Sequence, residues 1–146
     1  MKTFKLCVKV LEFVCLYVVL LGIVLAVGYK TSFFNFLFNN QIDPVFWRES
    51  LKNTEASMFQ QFAYGVLGAT CIGWGILMYI IVKYAFAKQQ KWAWYALLFS
   101  ISSWFIFDQV ISLKAGVYFN VLFNVVLFLF VSIPLFVTFR EFHKKS

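Results

Sequence analysis

Four long apolar runs limit what this chain of 146 residues can fold into. We expect a helix across each run, at residues 7–28, 58–84, 91–113 and 117–139, because about 20 apolar residues in a helix match the thickness of bilayer hydrocarbon. Hydrophobic residues make up 62% of the chain and charged residues 13%, and a water-soluble domain of this size could not bury so much apolar surface. The sequence therefore predicts an all-α integral membrane protein, with residues 1–146 forming a single transmembrane domain.

The connections between the runs predict how the helices are arranged. Short turns at Ala87–Gln90 and Leu113–Gly116 join the last three runs, which favours antiparallel neighbours in an up-down-up-down four-helix bundle. Nine of the lysines and arginines lie at the N-terminus, in the second connection and in the tail, whereas four lie in the other two connections. Because basic segments stay on the cytoplasmic side, we expect both termini in the cytoplasm. The predicted location is the cell membrane, as a multi-pass protein; in a bacterium this is the inner membrane.

The longest connection, residues 29–57, is expected outside the cytoplasm, with short helices at the membrane interface. Its aromatic segment Phe33–Phe38 is too short to cross a bilayer and suits the headgroup boundary. Asp43 and Pro44 predict a helix start, since aspartate is a good N-cap and proline is tolerated in the first turn. That helix is expected to carry three charged residues on its wet side, namely Arg48, Glu49 and Lys52.

Small residues recur at four-residue intervals in the second run. Gly65, Ala69 and Gly73 form one strip, and such strips let membrane helices approach closely. A second strip, with Gly68 and Gly75, lies beside it. We expect the Gly65 strip to contact another helix; a ligand groove is the alternative interpretation.

Polar residues from three of the runs fall at similar depth near the end of the bundle that carries the long connection. Asp108 lies roughly 9 Å before the turn at Lys114, and Asn120 about as far after it. Asn124 lies one helical turn deeper, on the same face as Asn120. The candidate ligand-binding or polar-cluster residues are Asp108, Asn120, Asn124, Trp104, Gln61 and Tyr64.

This polar layer has two interpretations. The asparagines can serve as hydrogen-bonding glue between helices. Alternatively, Asp108 belongs to a functional pocket, because an acid inside a membrane is costly and often marks a ligand or proton site. The sequence leaves both interpretations open.

Other kinds of site find little support in the sequence. No catalytic motif is present, the single histidine is His143 in the tail, and Cys7, Cys15 and Cys71 form no C-x-x-C pair. We therefore expect no catalytic residue, metal site or cofactor. The basic residues lie at the ends of apolar runs instead of forming a patch, so membrane topology explains the net charge of +7 better than nucleic-acid binding does.

These observations favour a membrane protein that works by binding, as an accessory or scaffold subunit, over an enzyme. Its expected partners are membrane lipids, together with a membrane protein or a second copy of the chain. One alternative is a membrane-embedded enzyme or redox accessory that acts on a lipid or quinone, with Asp108 as the polar anchor. Another is a component of a small transporter.

Overall fold

The fold consists of long helices with a short helical segment over one end. In the computed structural model, which describes residues 2–47 and 54–143, all regular elements are helical. The long helices are α1 (Lys2–Val27), α4 (Thr54–Tyr84), α5 (Lys91–Ala115) and α6 (Tyr118–His143). The short elements are α2 (Ser32–Phe34), a π-helical turn (Asn35–Asn39), α3 (Asn40–Phe46) and a 3-10 turn (Phe86–Lys88).

All four long helices are long and apolar enough to cross a membrane. The predicted apolar runs are therefore confirmed as helices, and the helices extend past the predicted bounds at several ends. Their outward surfaces are rich in exposed phenylalanine, leucine and isoleucine. A surface of this kind suits a hydrocarbon solvent. We call the end where α1 finishes and α4 begins the loop end, and the opposite end the terminal end.

In space the long helices follow the order α4, α1, α6, α5, with close packing between each successive pair. Contacts such as Gly75 with Cys15 and Phe105 with Phe128 show that the packed helices run antiparallel. The short turn after α4 predicts close packing of α4 on α5, but these two helices approach each other closely at few positions. Packing on α1 and α6 decides where they lie, because a turn constrains only the helix ends that it joins.

Glycines allow α4 to lie directly against α1. A Cβ atom on Gly68 would be 2.5 Å from both the Ala26 nitrogen and the Gly22 oxygen. A Cβ on Gly75 would be 3.0 Å from the Cys15 oxygen. At Gly68 these neighbours are backbone atoms of α1, which no side-chain movement could displace, so the close contact requires glycine there. At Gly75 the nearest atom is Val19 Cγ2 at 2.8 Å, so a side chain and the backbone of α1 together limit the space.

The prediction that the Gly65 strip packs against another helix is wrong for the described helices of this chain. A Cβ added at Gly65 or Gly73 would meet no atom within 4 Å, and Ala69 is exposed. Four-residue spacing places two small strips side by side on α4, and spacing alone does not indicate which one meets the neighbouring helix. The strip that contains Gly68 makes the contact, because Gly22 of α1 lies opposite it.

Apolar side chains fill the terminal half of the bundle. Phe86 is completely buried, with its ring centroid 4.7 Å from that of Phe142 and 5.9 Å from that of Phe4. The indole nitrogen of Trp94 donates a hydrogen bond to the Leu135 carbonyl at 2.9 Å. The described core cluster belongs largely to this half, which leaves the loop end less densely filled.

Residues 32–46 fold back over the loop end as a helical segment, which we call the lid. The lid begins where the Thr31 hydroxyl accepts a hydrogen bond from the Phe34 nitrogen at 3.2 Å. Phe34 is completely buried, and its ring centroid lies 5.1 Å from that of Tyr64 in α4. Phe33 points outward and is exposed. One aromatic residue of the lid therefore anchors it to the bundle.

The helix start predicted at Asp43 and Pro44 is wrong. Helix α3 already begins at Asn40, and it ends after Phe46, where Trp47 has an extended backbone. Thr31 caps the segment upstream, and the Asp43 carboxylate accepts a hydrogen bond from Gln60 in α4. The predicted charged helix with Arg48, Glu49 and Lys52 falls outside the described residues.

Candidate ligand-binding site

A cavity of about 330 Å³ lies at the loop end, where α4 and α5 diverge. All of the long helices and the lid contribute to its walls, and most of its lining is apolar. Lid residues Phe38, Ile42 and Phe46 line the cavity together with Leu25 of α1. Its polar groups are concentrated on α5 and α6.

The polar wall is built around one oxygen of Asp108. Asp108 Oδ1 accepts hydrogen bonds from Asn120 Nδ2 at 2.7 Å, Asn124 Nδ2 at 2.8 Å and the Ser112 hydroxyl at 2.9 Å. Asn120 Nδ2 also donates to the Ser112 hydroxyl oxygen at 2.8 Å. The carboxylate therefore joins α5 to α6.

Local structure explains why these side chains meet. Asp108 and Ser112 are four residues apart on α5, and Asn120 and Asn124 are four residues apart on α6, so each pair shares a helix face. Between the helices Gly116 adopts a left-handed conformation with φ +72°, which glycine tolerates at a helix C-terminus. The turn brings the two polar faces opposite each other.

The second carboxylate oxygen, Asp108 Oδ2, receives no hydrogen bond from the described residues. In that part of the chain, the side-chain atoms that are both buried and without a hydrogen-bond partner are Asn39 Oδ1 and Gln109 Oε1. Oδ2 is not one of them, so it is not fully buried. Oδ2 therefore keeps some accessible surface, and Asp108 is among the residues that line the cavity. The site offers a hydrogen-bond acceptor that Asn124, Asn120 and Ser112 do not occupy.

Two tryptophans form an aromatic part of the cavity wall. Trp74 and Trp104 line the cavity, with ring centroids 5.9 Å apart. The indole nitrogen of Trp74 donates to the Ser100 hydroxyl at 3.0 Å, which links α4 to α5. Trp104 precedes Asp108 by one helical turn, so its ring and the carboxylate lie on the same face of α5.

Gln60 attaches the lid to the bundle. Its Nε2 donates to Asp43 Oδ1 of α3 at 2.7 Å, and its Oε1 accepts a hydrogen bond from the Tyr29 hydroxyl at 3.2 Å. One amide thus connects the lid, α4 and the segment that follows α1. This second polar cluster holds the lid over the cavity.

The structure brings together five of the six residues that the sequence suggested for this site. Gln61 lies elsewhere, on the outer face of α4 beside Gly65 and Ala69. Gln60, one helical turn before Tyr64, does not line the cavity either, but it holds the lid through its hydrogen bond to Asp43. The five residues are Asp108, Asn120, Asn124, Trp104 and Tyr64.

Trp74 was not predicted as a site residue, because its neighbours in the sequence indicate only an apolar helix. Its contribution depends on how α4 is rotated, which the Gly68 contact with α1 determines. Cys71, one turn before Trp74 on the same helix, also lines the cavity.

The polar side chains of the cavity determine which chemical groups it can hold. In the part of the chain that the structure describes, no three residues of His, Cys, Asp or Glu lie close enough to hold a metal ion. The polar wall combines a carboxylate with neutral amides and a hydroxyl. Such a set can hold and orient a polar group at the end of an apolar molecule.

No family model matches this chain, and its comparison with curated proteins and with solved structures found no significant match.

Proposed function

We propose that this protein is a multi-pass cell-membrane protein that binds a small, largely apolar molecule in the cavity between α4 and α5. The observation that carries the proposal is that Asp108, with an Oδ2 that accepts no hydrogen bond from the described residues, lines a cavity whose walls are mostly apolar. Ligand pockets typically combine apolar walls with a few convergent polar groups, as this cavity does.

The proposed orientation places both termini in the cytoplasm and the lid on the outer side. The excess of lysine and arginine at the terminal end supports it. The lid then lies at the outer membrane–water boundary, where exposed Phe33 and Phe36 can contact headgroups. Single cysteines at Asn53 and Ser146, in a background without native cysteines, should react with an impermeant maleimide from the outside and the inside, respectively. The reverse pattern would contradict the orientation.

The binding function can be tested by filling the cavity. Leu67 lines it, whereas the adjacent Val66 lies on the outer face of α4. Purification of the wild type and of Leu67→Trp and Val66→Trp variants in native lipid discs, followed by mass spectrometry, compares their bound small molecules. We expect one molecule to be retained by the wild type and by Val66→Trp and to be lost from Leu67→Trp. Retention by all three, or by none, would contradict the proposal.

A second candidate function is that of an accessory or scaffold subunit, and the outer face of α4 favours it. Gly65 and Ala69 border a groove with Ala26 and Phe62 that no helix of the described chain occupies. Small residues of this kind suit the close approach of another membrane helix. A cysteine at Ala69 should then form a cross-link with a membrane partner or a second copy. An Ala63→Cys variant, exposed on a different face of α4, provides a comparison and should not cross-link.

A further inference from the structure

We infer that the ligand of this cavity is an amine: a small apolar molecule that ends in a protonated amino group and places it at Asp108 Oδ2, beside Trp74 and Trp104. The inference rests on the proposed binding function and specifies the chemical class of the ligand.

The charge of Asp108 favours a cationic ligand. The described hydrogen-bond partners of Asp108 are Ser112, Asn120 and Asn124, all of which are neutral. A carboxylate in apolar surroundings is costly unless an opposite charge accompanies it. The neutral donors satisfy Oδ1 and leave Oδ2 for a cation. An ammonium group would supply both the missing charge and the missing hydrogen-bond donor.

The two tryptophans of the cavity wall also favour a cationic ligand. Trp74 is held in place by its hydrogen bond to Ser100, and Trp104 packs against it. Tryptophan is the side chain whose ring face attracts cations most strongly, and this attraction increases when the cation is desolvated. An acid and two tryptophans in one cavity therefore favour a cationic group.

Other polar groups fit this cavity less well. A carboxylate or phosphate would meet the accessible acceptor of Asp108, and none of the described residues that line the cavity is lysine, arginine or histidine. An alcohol could donate to Oδ2 but would leave the negative charge uncompensated. An aminophospholipid would bring its phosphate along with its amine. A free amine therefore fits the cavity better than an aminophospholipid does.

The test compares decylamine, decanol and decanoate, which share one chain length and differ in the polar end. Equilibrium dialysis of the wild-type protein in phosphatidylcholine nanodiscs, against protein-free nanodiscs, subtracts partitioning into lipid. We expect decylamine to bind about tenfold more tightly than decanol, the difference typical of a hydrogen bond to a charged group. Decanoate should not bind above the lipid background.

Two variants test whether Asp108 causes the preference for decylamine over decanol. Asp108→Asn retains an acceptor for Asn120 and Asn124, and it should reduce the preference for the amine to less than about twofold. Glu12→Gln removes an acidic residue at the terminal end, where Glu12 lies near Lys9 and Gln89, and it should leave the preference unchanged. An equal loss in both variants would show that general membrane charge causes the selectivity, and would overturn the inference. Circular dichroism checks that each variant folds.

The wild-type results alone distinguish the remaining outcomes. If decanol binds as tightly as decylamine, the amine inference is wrong while the binding function stands. If no probe binds above the lipid background, both proposals fail.

Nanodiscs that contain phosphatidylethanolamine distinguish a free amine from an aminophospholipid as the ligand. If they weaken decylamine binding about tenfold, the site takes a lipid headgroup and the free-amine assignment is wrong; unchanged binding supports a free amine.

Discussion

At the scale of single residues, the decisive feature is the unequal use of the two oxygens of Asp108. Oδ1 accepts hydrogen bonds from two asparagines and a serine, whereas Oδ2 accepts none from the described residues, and Asp108 lines the cavity. One side chain can therefore join α5 to α6 and also contact a ligand. The two interpretations suggested by the sequence, structural glue and functional pocket, are compatible because they involve different atoms.

This division of roles predicts different effects of two substitutions at position 108. Asp108→Asn keeps an acceptor for the Asn124 amide, which is almost completely buried, so the variant should unfold close to the wild-type temperature. Asp108→Leu removes the acceptor and should destabilise the bundle by about 1–3 kcal/mol, the cost of leaving a buried donor without a partner. Thermal unfolding in detergent, followed by circular dichroism, measures both effects. Equal melting of Asp108→Leu and the wild type would show that the cluster contributes no stability.

At the scale of elements, the glycines of α4 illustrate how one helix presents different surfaces. Gly68 faces the backbone of α1, and Gly73 faces open space. We expect Gly68→Ala to destabilise the fold by about 1–3 kcal/mol through overpacking against Gly22 and Ala26. The matched Gly73→Ala variant adds the same methyl group without a clash and should be neutral or slightly stabilising. Similar melting temperatures for the two variants would contradict the observed rotation of α4.

The lid provides a second matched pair at this scale. Phe34 is completely buried against the loop end, whereas Phe36 is 71% exposed. Phe34→Ser should release the lid and increase proteolysis near Asn40, because it removes a large buried aromatic ring and introduces a hydroxyl in its place. Phe36→Ser should leave the cleavage rate nearly unchanged in detergent. Faster cleavage of Phe36→Ser than of Phe34→Ser would show that the lid is anchored by its outer face instead.

At the scale of the whole molecule, the two halves of the bundle have different contents. The terminal half is filled with aromatic and aliphatic side chains around Phe86, while the loop half contains the cavity and its polar wall. The helix order contributes to this difference, since α4 packs on α1, α1 on α6 and α6 on α5, whereas α4 and α5 approach each other closely at few positions. Trp74, bonded to Ser100, joins α4 to α5 at the inner limit of the cavity.

This arrangement predicts that the hydrogen bond between Trp74 and Ser100, which joins α4 to α5, contributes to the stability of the fold. Trp74→Phe keeps an aromatic ring but removes the hydrogen bond to Ser100, and it should lower the stability by about 1 kcal/mol. Ser100→Ala should have a similar effect, and the double variant should add little to either single change, because both remove the same bond. Thermal melts of the three variants provide the cycle. Fully additive effects would mean that the bond is not formed.

The apolar runs by themselves determined the number and approximate bounds of the long helices, since the length of an apolar segment decides whether it can cross a bilayer. The spacing of Asp108, Asn120 and Asn124 around the Gly116 turn was also enough to predict their proximity, because helical periodicity sets both face and depth. Only the tertiary structure decided that Gly68 contacts α1, that Gln60 and not Gln61 holds the lid, and that Trp74 lines the cavity. The physical reason is that membrane helices are apolar on nearly all sides, so hydrophobicity does not distinguish a packed face from an exposed one. Which face packs depends on the fit of two backbones, and that fit is a property of the pair of helices.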